Sequence, residues 1–291
     1  MAGRIASTSF TGKEDTTMLV PRAPVVALIA GLFSIGVIQA AEDTAAELFN
    51  RAEQLHAKGR YAEAEPLYKE SLATREQVLG PDLPEIIPVL NALADLYHVQ
   101  GRDREAEPLS RRALTLGERM LPPQDLALVA SLTTLGDINR STYRYVSAEL
   151  LYRRAMAILQ LTLGPAHPSV ARVLSNLASL RVDTQRYDEA AQLFQRALEI
   201  SERAGQASSF QVAVILNNIA VCAIERGRFA NAEPYLQRAI RIREAALPSE
   251  DPGMISLLET YALVLRKTRR ASQAKQVEAR IAFLSHGGPQ K

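Results

Sequence analysis

LSNLASLRVDTQRYDEAAQLFQRALEI, residues 174–200, carries two apolar stripes at helical spacing. Leu174, Leu177, Ala178 and Arg181 fall on one face of its first half, and Ala190, Leu193, Phe194, Ala197 and Leu198 on one face of its second. Two such helices joined by a short polar turn form a hairpin that cannot bury both apolar faces by itself. What covers the remaining face is written 42 residues away in both directions. Ala64, Ala106, Ala148, Ala190, Ala232 and Ala274 recur at that step, as do Leu48, Leu90, Leu132, Leu174, Leu216 and Leu258. A third column reads Arg60, Arg102, Arg144, Arg186, Arg228 and Arg270. The Ala column suits a close helix crossing, and the Leu column supplies the faces on which one pair stacks against the next. Gly59, Gly101 and Gly227 mark the turn inside a pair. Breaker-rich linkers separate the pairs: LGPDLP at 79–84, LPPQDL at 121–126, LGPAHP at 163–168 and LPSEDP at 247–252.

Composition agrees with an all-helical reading. The 291 residues are 47% hydrophobic with 5% aromatic residues and no Trp, too apolar for a disordered chain and too poor in rings for a typical β-sandwich. Thirty-four basic against 32 acidic residues give a net charge of +2, so no overall field favours nucleic acid. One cysteine, Cys222, excludes an internal disulfide framework and a zinc site built from several thiolates. Six units of 42 fill the chain beyond Ala40, which leaves no length for a separate catalytic domain.

The amino-terminal segment reads as an export signal. Val25 to Ile38, VVALIAGLFSIGVI, is uncharged, follows Arg22 and precedes QAA and then Glu42. It falls short of the roughly 20 apolar residues that span a bilayer, so no stable membrane insertion is expected after cleavage. Residues 1–40 are accordingly expected to be a signal peptide cut after Ala40, with translation beginning at Met18, and the mature chain to be periplasmic or secreted. Residues 41–285 are expected to form the six-repeat solenoid and 286–291 a disordered tail.

The quoted stretch, together with ILNNIAVCAIERGRFANAEPYLQRAIRIRE at 215–244 and LGPAHPSVA at 163–171, resembles tetratricopeptide repeats of the long kinesin light chain type. The resemblance extends over all six units; the sixth, with Arg269, Arg270, Ala271 and Lys275, departs from the pattern as a terminal cap does. No heptad coiled coil precedes the repeats, so the motor-adaptor role does not carry over. The fold it implies is a right-handed α-solenoid of six helix pairs, with the first helix of each pair lining a concave surface. The function it implies is a non-enzymatic scaffold binding a protein or an extended peptide there. Asn50, Asn91, Thr133, Asn176, Asn217 and Asn218 stand in the columns that face such a groove. A carboxamide both donates and accepts, and so can clamp a main chain of any sequence; the alternative is a polar residue on a solvated face. The basic set needed to clamp a partner's terminal carboxylate is absent from the first three repeats.

One turn further along, Glu53, Asp95 and Asp137 form an acidic column, with His56, His98 and Arg140 three residues later. That spacing predicts acid–base pairs along each helix and, with two imidazoles, a pH-sensitive end of the groove. A metal site from the same residues is the less favoured reading, because neighbouring helices about 8–10 Å apart strain simultaneous ligation. The Arg column predicts a basic edge, densest at Arg266, Lys267, Arg269 and Arg270, with anion binding or local charge pairing as its alternative uses. Cys222 lies in a column with Leu96, Ile138, Leu180 and Val264 and reads as core. No nucleophile elbow, phosphate loop or zinc helix appears, and neither an enzyme nor a cofactor is expected. The competing functional class is an architectural module that self-associates or docks to an envelope complex. Exposed Ile281, Phe283 and Leu284 on the last helix would favour it.

Overall fold

In the computed structural model, which describes residues 23–246 and 252–285, the chain folds into twelve α-helices and no strand among the described residues. They pair as α1 (Ala23–Ala57) with α2 (Tyr61–Leu79), α3 (Ile87–Val99) with α4 (Asp103–Met120), and α5 (Ala127–Ser141) with α6 (Tyr145–Thr162). The remaining pairs are α7 (Pro168–Asp183) with α8 (Tyr187–Arg203), α9 (Phe210–Glu225) with α10 (Phe229–Ala246), and α11 (Pro252–Lys267) with α12 (Ala271–Ser285). A short 3₁₀ turn, Pro84–Ile86, leads into α3. The stack is an all-α solenoid, as the 42-residue period requires. Residues 1–22, the tail 286–291 and residues 247–251 of the last linker lie outside the described residues.

Val25 to Ile38 continues without a break into the first repeat helix, since nothing between Pro24 and Ala57 interrupts helical geometry. No described helix is long and apolar enough to cross a membrane. The linker missing from the sequence reading runs over residues 204–209. It contains no proline and instead turns at Gly205 (φ +76°), ending at Ser209, whose Oγ accepts from the Val212 N–H at 3.3 Å as an N-cap.

Each intra-pair turn places one residue in the left-handed region, and these also recur every 42 positions: Gly59, Gly101, Tyr143, Gln185, Gly227 and Arg269, with φ between +58° and +73°. Three are glycine, and three place an L side chain where it is disfavoured by about 1–2 kcal/mol, partly offset by the greater chain entropy glycine loses on folding. Gln185→Gly and Arg269→Gly are therefore each expected to raise stability by about 0.5–1 kcal/mol. Thermal unfolding is the check, and a lowered midpoint would refute the strain.

The three sequence columns have three different structural fates. All six Ala are buried, none more than 1% exposed. Five of the six Leu are buried, with Leu48 at the start of the stack half-buried. In a further column, Ala52, Ala94, Gly136, Ala178, Ala220 and Ala262, the third member is glycine, because a Cβ there would lie 2.5 Å from the fully buried Tyr152 ring. The Arg column lies outside and ties pairs together. Arg102 Nη1 donates to Glu65 at 2.7 Å, Arg144 Nη2 to Glu107 at 2.8 Å and Arg270 Nη1 to Glu233 at 2.7 Å, each reaching 37 residues back to the second helix of the preceding pair. A second ladder reaches 36 residues back, Arg112 to Glu76 at 2.5 Å, Arg154 to Glu118, Arg238 to Glu202 at 2.5 Å and Arg280 to Glu244 at 2.6 Å.

Candidate functional site

The first helices of successive pairs, α1, α3, α5, α7 and α9, together line one cavity of about 650 Å³. It opens between Phe49, Glu53 and His56 of α1, Asn91, Ala92 and Asp95 of α3, and Ala127, Ala130, Thr133, Thr134 and Asp137 of α5. Arg172 and Asn176 of α7 and Gln211 of α9 close its far end. Such a site follows from helical phase: positions three and four apart on a first helix face the same way, and the 42-residue period stacks those faces side by side.

Of the six predicted clamp residues, Asn91, Thr133 and Asn176 line this cavity. Asn91 is 7% exposed and its Oδ1 accepts from Ser131 Oγ at 2.8 Å, a bond that fixes the carboxamide against the next repeat. Thr133 Oγ1 is tied to the Val129 carbonyl of its own helix at 2.9 Å, so its hydroxyl does not project as a free clamp. Asn176 Nδ2 donates to Asp137 Oδ1 at 3.2 Å. Asn50 does not line the cavity: it is exposed, and Phe49 takes the lining position one residue earlier. Asn218 lies instead in a smaller recess with Arg140, Ser179, Asp183 and Val221. Asn217 is half-buried, with an Oδ1 that accepts no hydrogen bond. Arg172 was missed, although in its column (Ala46, Pro88, Ala130, Arg172, Val214, Ser256) it is the only charge.

The acid–base column corrects the expectation of pairs along each helix. Glu53 accepts from Tyr68 Oη, not from His56, and Asp137 accepts from Tyr152 Oη at 2.6 Å, not from Arg140. Both tyrosines lie 15 residues on, on the second helix of the same pair. The equivalent position in the second repeat is Ser110, whose shorter side chain leaves Asp95 to face His56 Nε2 at 3.6 Å. The bases find partners elsewhere. His56 Nδ1 lies 3.3 Å from Tyr68 Oη, His98 Nδ1 lies 2.6 Å from Asp103, and Arg140 donates to Asp183 at 2.9 Å. The two imidazoles thus point to separate partners, and no group of three His, Cys, Asp or Glu converges on a cation-sized site among the described residues. Burial raises the Asp137 carboxyl above its ordinary range, opposed by the Tyr152 hydrogen bond.

The basic edge is largely paired. Arg266 is bound to Glu278 and Arg270 to Glu233, while Arg269 occupies the left-handed turn and Lys267 Nζ lies 5.9 Å from the Phe229 ring centre. Farther up the same column Arg60 and Arg186 are held by Glu63 and Glu189 three residues on. The reason is positional: an Arg at the turn reaches both the first turn of its own second helix and the preceding repeat. Cys222 is fully buried, and burial pushes its thiol up to about 11, as befits a core side chain rather than a nucleophile. On the last helix Ile281 and Leu284 pack against the core and only Phe283, 56% exposed, faces outward. The most exposed large apolar side chains are instead Tyr143, Val146, Leu150 and Leu161 at α6.

Comparison with known proteins places this architecture. No curated protein is a significant sequence match. Solved structures with the same fold include kinesin light chain-like, nearly identical TPR repeats from Podosopora anserina, at 19% identity over 70% of this chain and 97% of that one, TM-score 0.58. BtubC (BKLC) from P. vanneervenii is 20% identical over 87% of this chain and 95% of that one, TM-score 0.61. Pseudomonas aeruginosa pilF is 15% identical over 86% and 95%, TM-score 0.56. The tetratricopeptide repeat family model matches residues 43–119, 125–203 and 211–280, most of the length, and the chain belongs to the tetratricopeptide repeat family.

Proposed function

We propose that the protein is a non-enzymatic scaffold that takes an extended segment of another protein along the surface of its first helices. The observation that carries this reading is the cavity itself. Its lining is drawn from five successive first helices, a run of surface suited to an extended chain. Carboxamides at Asn91 and Asn176 offer main-chain recognition, and Arg172 lines the cavity together with the carboxylates Glu53, Asp95 and Asp137. The architectural alternative loses its main support, since two of the three apolar residues that would have formed a docking end are packed inward.

Affinity capture with residues 41–291, beside a variant carrying Arg172→Gln and Asn176→Ala, both in the cavity lining, tests the reading. A partner enriched by the parent and reduced at least tenfold by a variant with unchanged circular dichroism is expected; equal capture would move the site away from the groove. Export is proposed on the sequence of residues 25–38. An N-terminus at or near Ala41 on the secreted chain is expected from peptide sequencing, and an intact Val25–Ile38 segment would contradict it.

A further inference from the structure

Both arginine ladders break around the fourth repeat, and the two arginines left over line one cavity. In the ladder that reaches back 36 residues, Arg112, Arg154, Arg238 and Arg280 each hold a glutamate, but the position facing Arg196 is Gln160. In the ladder that reaches back 37, the position facing Arg228 is Ala191, where other repeats supply Glu65, Glu107 and Glu233. Arg228 also lacks the acid three residues on that holds Arg60, Arg102 and Arg186, because Asn231 stands there. Both side chains are exposed, and neither makes a hydrogen bond or ion pair among the described residues. They line a single cavity of about 640 Å³ between α8 and α10, with Gln192, Gln195 and Tyr235. Asp188 at its edge is already bound to Arg226, and Glu199 stands at its end, so three arginines face two carboxylates.

We propose that this cavity, on the second-helix side and away from the groove, is a docking slot for an acidic segment of a partner protein, whose Asp or Glu side chains supply to Arg196 and Arg228 the carboxylates that Gln160 and Ala191 do not. The chain itself supplies the argument for the occupant. Seven times over, an arginine of these two columns is satisfied by a carboxylate, and guanidinium–carboxylate geometry is specific enough that the same arginines keep the same preference when the acid comes from outside. The missing acids are replaced by the neutral amide of Gln160 and by the methyl group of Ala191, which lines the cavity, and neither brings a negative charge to Arg196 or Arg228.

The test fills the slot from within. Fluorescein-labelled hexaglutamate is titrated at low salt against the full chain and against the double variant Gln160→Glu with Ala191→Glu, with hexaglutamine as control. The double variant keeps every arginine and restores two internal pairs, so its unfolding midpoint is expected to be equal to or above the parent's. Hexaglutamate binding weakened tenfold or more by the double variant, and likewise by Arg196→Gln with Arg228→Gln, is the expected result. Equal binding to parent and double variant, or binding of hexaglutamine as tight as hexaglutamate, would overturn the slot. Binding of inorganic phosphate at submillimolar concentration without any of hexaglutamate would overturn the choice of a carboxylate partner. The groove variant Arg172→Gln with Asn176→Ala is expected to bind hexaglutamate as the parent does, and this separates failure of the slot from failure of the groove.

Discussion

Replacing Tyr152 with Ala is expected to cost about 3–5 kcal/mol of folding stability, the range for truncating a large buried ring. Replacing it with Phe is expected to cost about 1–3 kcal/mol, the range for leaving a buried acceptor without its donor. The ring is completely buried between α5 and α6, against a glycine, Gly136, that leaves room for it. Its hydroxyl donates to Asp137 Oδ1 at 2.6 Å, and Asp137 lies at the floor of the groove, where it also receives Asn176 Nδ2. The Phe variant keeps the packing and removes only the donor, so its cost carries a pH signature. Burial raises the folded-state pKa of Asp137, and the Tyr152 bond opposes that rise. Without the hydroxyl the folded value climbs further, so the penalty of holding a buried carboxylate is largest at neutral pH. It fades as pH falls toward the unfolded value near ~3.9, where both states are protonated. Urea unfolding at pH 7.5 and at pH 4 should show the Tyr152→Phe deficit shrinking in acid. A deficit of one size at both pH values would mean that Asp137 does not feel the hydroxyl.

The stack was legible because its information is periodic, and each repeat repeats the evidence of the others. Ala190 alone says little; six alanines at one step define a crossing. The lateral interactions were less legible because they join two columns at once. Glu65 with Arg102, or Glu76 with Arg112, stands out only when spacings of 37 and 36 are compared with the 42-residue period, and a reading along one helix finds nearer candidates first. That is why His98 was matched with Asp95 when its ring faces Asp103, and Glu53 with His56 when a tyrosine 15 residues on lies closer to the carboxylate. Asn91, Thr133 and Asn176 line the cavity and Asn50 does not, although Ala92, Thr134 and Asn176, its equivalents in the next three repeats, do. Asn50 stands on α1, the first helix of the stack, where the surface is shared with a neighbouring pair on one side alone among the described residues. The left-handed turn column was half visible: three glycines mark it, while Tyr143, Gln185 and Arg269 carry no such sign.

Changing Glu149 to Ala is expected to destabilise the chain by about 2–3 kcal/mol, whereas changing its partner Arg181 to Met should cost about 1 kcal/mol or less, an asymmetry set by which charge is left buried. Arg181 is 7% exposed and donates twice to Glu149, at 3.0 and 2.7 Å, with Glu189 farther off at 3.4 Å. In the ladder reaching back 37 residues Glu149 would belong to Arg186, but Arg181 on the neighbouring first helix captures it. Loss of Glu149 leaves a guanidinium in the packed interior with one distant carboxylate. Loss of Arg181 leaves Glu149 partly open to water and still beside Arg153 at 2.8 Å, and the Met side chain fills the vacated apolar space. Hydrogen bonds from Arg181 and then from Arg153 hold the Glu149 carboxyl at about 2. A lowered folded-state value stabilises above the unfolded one near ~4.3, and that contribution is lost as pH falls from there toward about 2. The Glu149→Ala deficit should therefore be full at neutral pH and narrow below about pH 4. The double variant should be less destabilised than the sum of the single ones, because no unpaired charge then remains inside. Equal costs for the two single variants, or strict additivity in the double, would mean that Arg181 is hydrated in solution and that the pair is an ordinary surface bridge.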